Sequence, residues 1–447
     1  MKAKNIDLTQ GPIVKNLIRF SIPLLLSSIL QQLYSTADLL IVGRYGGQRD
    51  MAAIGATGSL SYLIVAFFFG LSLGTSILTA QFYSAKRERK LYEVVHTTFA
   101  IAVFGGFGLM VLTYIATPWL LRLMATPADI FDSASLYMRV YFLGVIPMLV
   151  YNMGSGILRS VGDSERPFYY LAAAAFLNIV FDLILVRGFG MGAFGAAIAT
   201  TVAQIGSAVL VFIALVKAED SYRLIPKEIK FYPESLKNIL RIGVPAGLQG
   251  MAITLSNVVI QSKINLFGTD AVAGIAASSR IDGFIWLSIS TISQGITIFT
   301  GQNIGAHKFD RLKRGFKIAL AMITVVTGVL LTLILLTRFQ LMKLFNSNPA
   351  VIEYGANMLM ILCSFYLLYA WGEIILGFVR GAGNTAAAMI ITLTCFLFIR
   401  VAWIYIMLNQ VFSIYTVLWS YPVTWLIYAV ISAGYFKMRF WKDLPVK

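Results

Sequence analysis

The sequence predicts an all-α membrane protein of twelve transmembrane helices, arranged as two six-helix lobes related by a pseudo-two-fold axis along the membrane normal. Three observations carry that expectation. Hydrophobic residues make up 58% of the 447 and charged residues 13%, roughly half the ~25% charged content usual in soluble domains. Apolar runs of bilayer-crossing length recur along the whole chain. A series of motifs also repeats about 221 residues further on.

The apolar runs lie near 16–43, 52–82, 91–116, 132–160, 167–187 and 193–217, then near 238–267, 272–303, 315–337, 352–380, 386–408 and 414–436. A helix needs ~20 residues to cross, and none of these runs shows the ten-residue alternation of a barrel strand. Backbone groups left unpaired in hydrocarbon are too costly, so each run is read as a helix. Asn16, Arg19, Pro23 and Leu26 recur as Asn238, Arg241, Pro245 and Leu248, and Gly46 pairs with Gly268 at the same step. The step then shortens by one residue. Ala52, Ile54 and Ala56 match Ala273, Ile275 and Ala277; Gly74, Thr79, Gln81, Ala85 and Leu91 match Gly295, Thr300, Gln302, Ala306 and Leu312; Arg159 and Gly162 return as Arg380 and Gly383. Residues 1–221 and 222–447 are therefore duplicated halves, an N-terminal and a C-terminal lobe. Six crossings return each half to the side it started from, so the copies are not inverted, and the two lobes are expected to face each other across a central cavity.

The net charge of +16 would suit a nucleic-acid binder, but its distribution argues otherwise. With both termini cytoplasmic, 26 of the 36 Lys and Arg fall on the inner side and seven on the outer, the bias of the positive-inside rule. Nucleic acid is not expected as a partner, and contact with anionic lipid is secondary. The longest polar stretch, 217–237, reads as a cytoplasmic linker between lobes. Every other loop is too short for a soluble domain, and no G-x-x-x-x-G-K-[ST] string is present, so no nucleotide-driven motor is built in. An enzyme is not expected, nor a cofactor. Cys363 and Cys395 sit in apolar runs without metal-ligand spacing and read as inert core thiols. The first apolar run is too long for a signal h-region and has no cleavage site after it.

Ionised carboxylates are expensive at bilayer depth, so an acid there marks function by default. Asp38 lies in the first span and Asp182 in the fifth, each about four or five residues from the outer end, roughly 7 Å at 1.5 Å per residue. Tyr34 and Asn178 stand four residues before them, on the same helical faces. Asn152, Thr200 and Thr201 add neutral polar groups on the fourth and sixth spans. Such a group would either exchange a proton near neutral pH or hold Na⁺ with oxygen ligands. The competing reading is that the acids only bond to neighbouring helices and lock the lobe. The second half has Ile260 in the place of Asp38 and Trp403 in that of Asp182, and acids needed for packing would be needed twice. His96 and His307, near the cytoplasmic surface, are poor alternatives.

Among the remaining charges, Glu373 falls in the place of Asn152 and is a second candidate for a substrate or ion role. Arg139, Asp132, Arg280, Asp282 and Arg400 are expected to pair with one another or to lie near an interface. Pro23, fifteen residues before Asp38, lacks an N–H and should kink or loosen the first helix. A bend there would couple protonation of Asp38 to the lobe's shape; Pro245 at the matching place of the second half argues for a static kink.

The twelve spans, the duplicated halves, the series Pro23, Gln32, Asp38, Val42-Gly43, and the helix ends Leu158-Arg159 and Val379-Arg380-Gly381-Ala382-Gly383-Asn384-Thr385 resemble the multidrug and toxic compound extrusion (MATE) transporters over nearly the whole chain. Acids in the first and fifth spans, with Gln249 and Gln261 but no acid in the seventh, look like the DinF-like prokaryotic branch. The resemblance implies an antiporter in a prokaryotic inner membrane. It would export small organic, often cationic compounds in exchange for H⁺ or Na⁺ and function as a monomer. The branch's cation site maps onto Tyr34, Asp38, Asn152, Asn178, Asp182 and Thr200. A flippase for lipid-linked sugars would need a strongly cationic cavity, whereas Arg139, Arg280 and Arg400 are the only in-span arginines. A major-facilitator carrier would show a Gly, Asp and Arg-rich second-to-third loop. Residues 84–90 read Ser-Ala-Lys-Arg-Glu-Arg-Lys instead.

Overall fold

A computed structural model describes residues 5–124 and 126–443. The extreme termini, on which the cytoplasmic assignment of both ends partly rests, lie outside the described residues. Among the described residues eleven helices are long and apolar enough to cross a membrane: α1 (Ile13–Tyr45), α2 (Gln48–Ser84, apolar over Ile64–Ser84), α3 (Glu88–Leu123), α6 (Glu165–Gly188), α7 (Gly192–Val216), α8 (Pro233–Phe267), α9 (Thr269–Gly305), α10 (Phe309–Lys343), α11 (Pro349–Gly381), α12 (Thr385–Gln410) and α13 (Ile414–Phe440). The twelfth span is a bent pair. Helices α4 (Ala128–Leu143) and α5 (Val145–Ser160) meet at Gly144 with a 46° bend, where a Cβ would approach Gln204 Oε1 to 2.4 Å. α1 runs through Pro23 as one helix, with Ser27 Oγ donating to the Pro23 carbonyl at 2.7 Å.

The chain forms two compact units. The first comprises Arg19–Val244 and the stretch ending at Asp7; the second comprises Leu8–Ile18 and the chain from Pro245 on. In the first unit α2 packs on α4 and α5, α5 on α7, and α7 on α6. Leu71, Ile77, Phe142, Leu149 and Met153 lie in one core cluster. Gly74 and Gly243 bring the backbones of α2 and α8 together so closely that a Cβ on Gly74 would lie 2.8 Å from the Gly243 nitrogen. Residues 217–237 are tied to the helices of the same unit. Ile225 N–H donates to His96 Nε2 at 3.0 Å, Tyr232 N–H to Thr97 Oγ1 at 3.2 Å, and Leu224 is wholly buried against Leu91, Val95 and Leu215.

In the second unit α9 packs on α11, and α11 on α10 and α13. The N-terminal stretch closes onto this unit: Leu8 N–H donates to Gln302 Oε1 at 3.1 Å, and Arg311 donates to the carbonyls of Leu8, Gln10 and Gly11. Cys363 and Cys395 are both unpaired and buried.

Duplication reaches the backbone. Positive φ recurs at steps of 221: Gly47 at 92° and Gly268 at 89°, Lys86 and His307 at 55°, Gly162 at 95° and Gly383 at 90°. The structural twin of Gly268 is therefore Gly47, not Gly46, and both glycines precede the second helix of their half with the same ψ of 173°. The one-residue slip falls earlier than the residue pattern implied, at the end of the first helix of each half, where the second copy closes with a 3₁₀ turn at Asn265–Phe267. Side chains repeat as well. Ser72 Oγ donates to the Asn152 carbonyl at 2.9 Å, and Ser293 Oγ to the Glu373 carbonyl at 3.0 Å.

Candidate functional site

α1 and α6 bring Asp38 and Asp182 together. The two carboxyls lie within direct electrostatic reach, at 9% and 0% exposure. They approach one another closely enough to interact as a hydrogen-bonded pair if a proton lies between them, but neither has a well-formed hydrogen bond to any other group. One oxygen of Asp38 and both of Asp182 are buried without a partner, a costly arrangement for ionised groups. Asn178, one turn before Asp182, turns its amide Nδ2 to Thr200 Oγ1 at 3.5 Å and leaves its Oδ1 without a partner. Thr201 is drawn elsewhere, to the Ala197 and Val140 carbonyls.

Helix geometry accounts for the meeting. Asp182 is the last α-helical residue of α6, which continues as a π turn over Leu183–Gly188, a feature frequent at functional sites. Tyr34, one turn before Asp38, interacts with its carboxyl. Asn152 stands apart: its amide donates to the Met148 carbonyl at 2.9 Å on its own helix, and it has no hydrogen bond to either acid.

Two residues belong here that sequence reasoning passed over. Tyr137 and Tyr141 on α4 stack with centroids 6.1 Å apart at 18°, and Asp38 acts electrostatically on both, Asp182 on Tyr137. Their four-residue spacing was the available signal, but nothing set them apart from the other tyrosines. The assembled site thus offers two carboxyls, an amide oxygen, a threonine and three phenols. Hard oxygen donors of this kind suit a proton shared between carboxyls or a Na⁺ ion. Among the described residues no group of three or more His, Cys, Asp or Glu could hold a metal ion, so a Na⁺ ligand set would depend on the neutral oxygens.

The other in-span charges are arranged differently from the sequence expectation. Glu373 is 8% exposed and fully engaged: Arg380 Nη2 donates to Oε2 at 2.8 Å, Tyr428 O–H to Oε1 at 2.7 Å, and Ser293 Oγ lies 3.3 Å from Oε2. Arg139, Asp132, Arg280, Asp282 and Arg400 do not pair with one another; the ion pairs among the described residues are elsewhere. Aromatic faces take the place of acids. Arg139 lies over the Tyr114 ring at 5.0 Å, and Arg400 over Phe396 at 4.4 Å and Tyr421 at 4.7 Å. His96 is fully buried at 0% exposure, with Nδ1 on the Tyr92 carbonyl and Nε2 on the linker.

The MatE family model matches this chain twice, over residues 23–184 and 245–406, once in each half and together over most of its length. The chain belongs to the MatE family. Among curated relatives, the probable multidrug resistance protein YoeA of Bacillus subtilis is 29% identical over 435 residues, 96% of this chain and 94% of that one. The probable multidrug resistance protein YpnP of the same organism is 30% identical over 402 residues, 89% of each. Two solved MATE structures share the fold: a transporter in the bent conformation, at TM-score 0.92 and 24% identity over 99% of this chain and 98% of that one, and an outward-facing multidrug resistance transporter, at TM-score 0.91 and 24% identity over the whole of both. This MATE protein is thus a multi-pass, all-helical membrane protein of the transporter class.

Proposed function

We propose that the protein is a multidrug efflux antiporter that exports small organic compounds, often cationic, in exchange for H⁺ or Na⁺ bound at Asp38 and Asp182. The observation that carries this reading is the meeting of two buried carboxyls with three unpartnered oxygens, an arrangement with no evident packing purpose that an entering cation would satisfy. The names of the curated relatives support the export half. Asn178 and Thr200 would complete the ligand set, Tyr34 would steer the Asp38 carboxyl, and Asn152 would act at a distance, through α5. Cation uptake from outside offsets charge on the pair, the first lobe repacks, and the drug leaves; return inward delivers the cation. One charge falling through 100 mV supplies ~2.3 kcal/mol, a roughly fifty-fold concentration ratio. The assignment includes a prokaryotic inner membrane, both termini cytoplasmic, monomeric function, membrane lipid as the surroundings and no nucleic-acid partner.

Glu373 is the counterpart of a polar position in the first lobe and would contribute to a secondary site only by exchanging Arg380 for a ligand. The flippase alternative is disfavoured by the acidic character of the first-lobe site, which repels a pyrophosphate. Purified protein in sealed vesicles, with an imposed pH or Na⁺ gradient and a fluorescent organic cation as cargo, tests the proposal. Movement of dye against its gradient with at least one of the two ions is expected, and its failure with both would reject antiport.

A further inference from the structure

In the second lobe Ile260 and Trp403 stand in the places of the two acids, and an arginine lies close by. At the 221-residue step Asn178 and Ile179 become Ile399 and Arg400, and Thr200 becomes Tyr421. Arg400 follows the π stretch Leu393–Ile399 directly, as Asp182 directly precedes its own π turn. It lies ten residues from the end of α12 at Gln410, about 15 Å along the helix, near the middle of the span.

Arg400 is 2% exposed. Phe396 and Tyr421 stack on it, and its Nε donates to Thr424 Oγ1 at 3.1 Å, yet Nη2 is buried with no acceptor. Among the described residues no carboxylate forms an ion pair with it. Stacking orients a guanidinium and keeps its plane rigid; with Nε taken by Thr424, the edge formed by the two terminal nitrogens is the one left for two parallel N–H···O bonds, the geometry that fits a carboxylate. A cation without a carboxylate partner in the membrane interior is expensive even when rings flank it, and marks function by default. Across the same aromatic group, Asp282 keeps a buried Oδ1 without a partner and interacts with Tyr366 and with Tyr421, the ring that also stacks on Arg400. Trp425, with its ring 4.6 Å from Tyr366 and 5.7 Å from Tyr421, supplies a flat wall between them.

We infer that Arg400 is a second-lobe subsite for the carboxylate of an organic substrate, whose aromatic body lies along Tyr421 and Trp425 and whose donor end turns to Asp282. The inference deepens the export reading by naming a substrate class, acids and zwitterions beside plain cations. A lipid phosphate offers similar oxygens, but a headgroup would have to reach mid-span.

The test is equilibrium binding to the purified full chain in phosphatidylcholine nanodiscs, read by fluorescence anisotropy, of one rhodamine dye as its free acid and as its methyl ester. The wild-type protein is expected to bind the acid about ten-fold tighter than the ester, the worth of one charge-assisted bidentate contact. Arg400→Gln is expected to abolish that preference while leaving ester affinity within about two-fold. If the Gln variant does not fold, Arg400→Lys, which keeps the charge and loses the fork, should lose most of the preference. A wild-type protein without preference, or a preference that survives either substitution, overturns the inference. Repeating the titration with phosphatidylglycerol in the discs separates the sources: an unchanged preference supports a substrate carboxylate, and its disappearance assigns the site to lipid phosphate and overturns the proposal. Acid preference without export of either dye would sink the export reading alone. Export without acid preference would sink only this one.

Discussion

Asp38 and Glu373 are both carboxyls inside a helical lobe, and their surroundings predict opposite responses to amidation. The Glu373 carboxyl has three contacts, from Arg380, Tyr428 and Ser293, so Glu373→Gln leaves the Arg380 guanidinium buried without a counter-charge. That loss is expected to cost about 3–5 kcal/mol, seen as a fall in detergent thermal stability, and Glu373→Gln combined with Arg380→Met should recover much of it. Asp182→Asn removes a charge that has no partner, and the variant should be as stable as the parent or more so while losing gradient-driven export by at least ten-fold. A drop in stability equal to that of Glu373→Gln would show the Asp182 carboxyl to be a packing group. Asp38 and Asp182 were legible in the sequence because acids are rare in apolar spans and the duplicated half lacks them. Tyr137 and Tyr141 were not, since the chain holds 21 tyrosines and only the fold selects two. The pairing expected of Arg139 and Arg400 is absent for a physical reason: an aromatic face also attracts a guanidinium, and sequence spacing does not show which ring lies opposite.

At the level of elements, the linker and the close helix crossings carry checkable consequences. His96 accepts the Ile225 N–H with Nε2, so its Nδ1 is the donor to the Tyr92 carbonyl. Replacing it by Ala removes the acceptor, and 217–237 should become several-fold more susceptible to trypsin at Lys227 and Lys230, with the spans intact; unchanged cleavage would show that Leu224 and Tyr222 hold the segment unaided. Gly74→Leu places a side chain where the Gly243 backbone already stands at 2.8 Å. Overpacking of this kind costs about 1–3 kcal/mol, measurable as a lower unfolding temperature, whereas substitution at Gly55, where a Cβ meets nothing within 4 Å, should leave it unchanged. Span positions were readable from apolar length alone. The π turns at Leu183–Gly188 and Leu393–Ile399 and the bend at Gly144 were not, because they arise from packing between helices and leave no break in the hydrophobic pattern.

Over the whole molecule, one architecture appears twice with its chemistry divided between the copies. Backbone signs, the serine contacts to Asn152 and Glu373, and the family match all repeat; paired acids stand in one lobe and a lone guanidinium in the equivalent region of the other. The repeat was legible because φ > 0 and close helix crossings constrain residue type, and its slip was misplaced by one glycine because Gly46 and Gly47 adjoin and only φ tells them apart. The division implies that ion coupling can be removed without dismantling the carrier. Downhill exchange of labelled for unlabelled organic cation requires only the carrier's conformational cycle, while uphill export also requires the driving ion. Vesicles containing Asp38→Asn protein, assayed for both, test this most directly. Exchange retained at near parental rate with gradient-driven export lost is the predicted result; export that persists alongside exchange would contradict the coupling role of the acid pair.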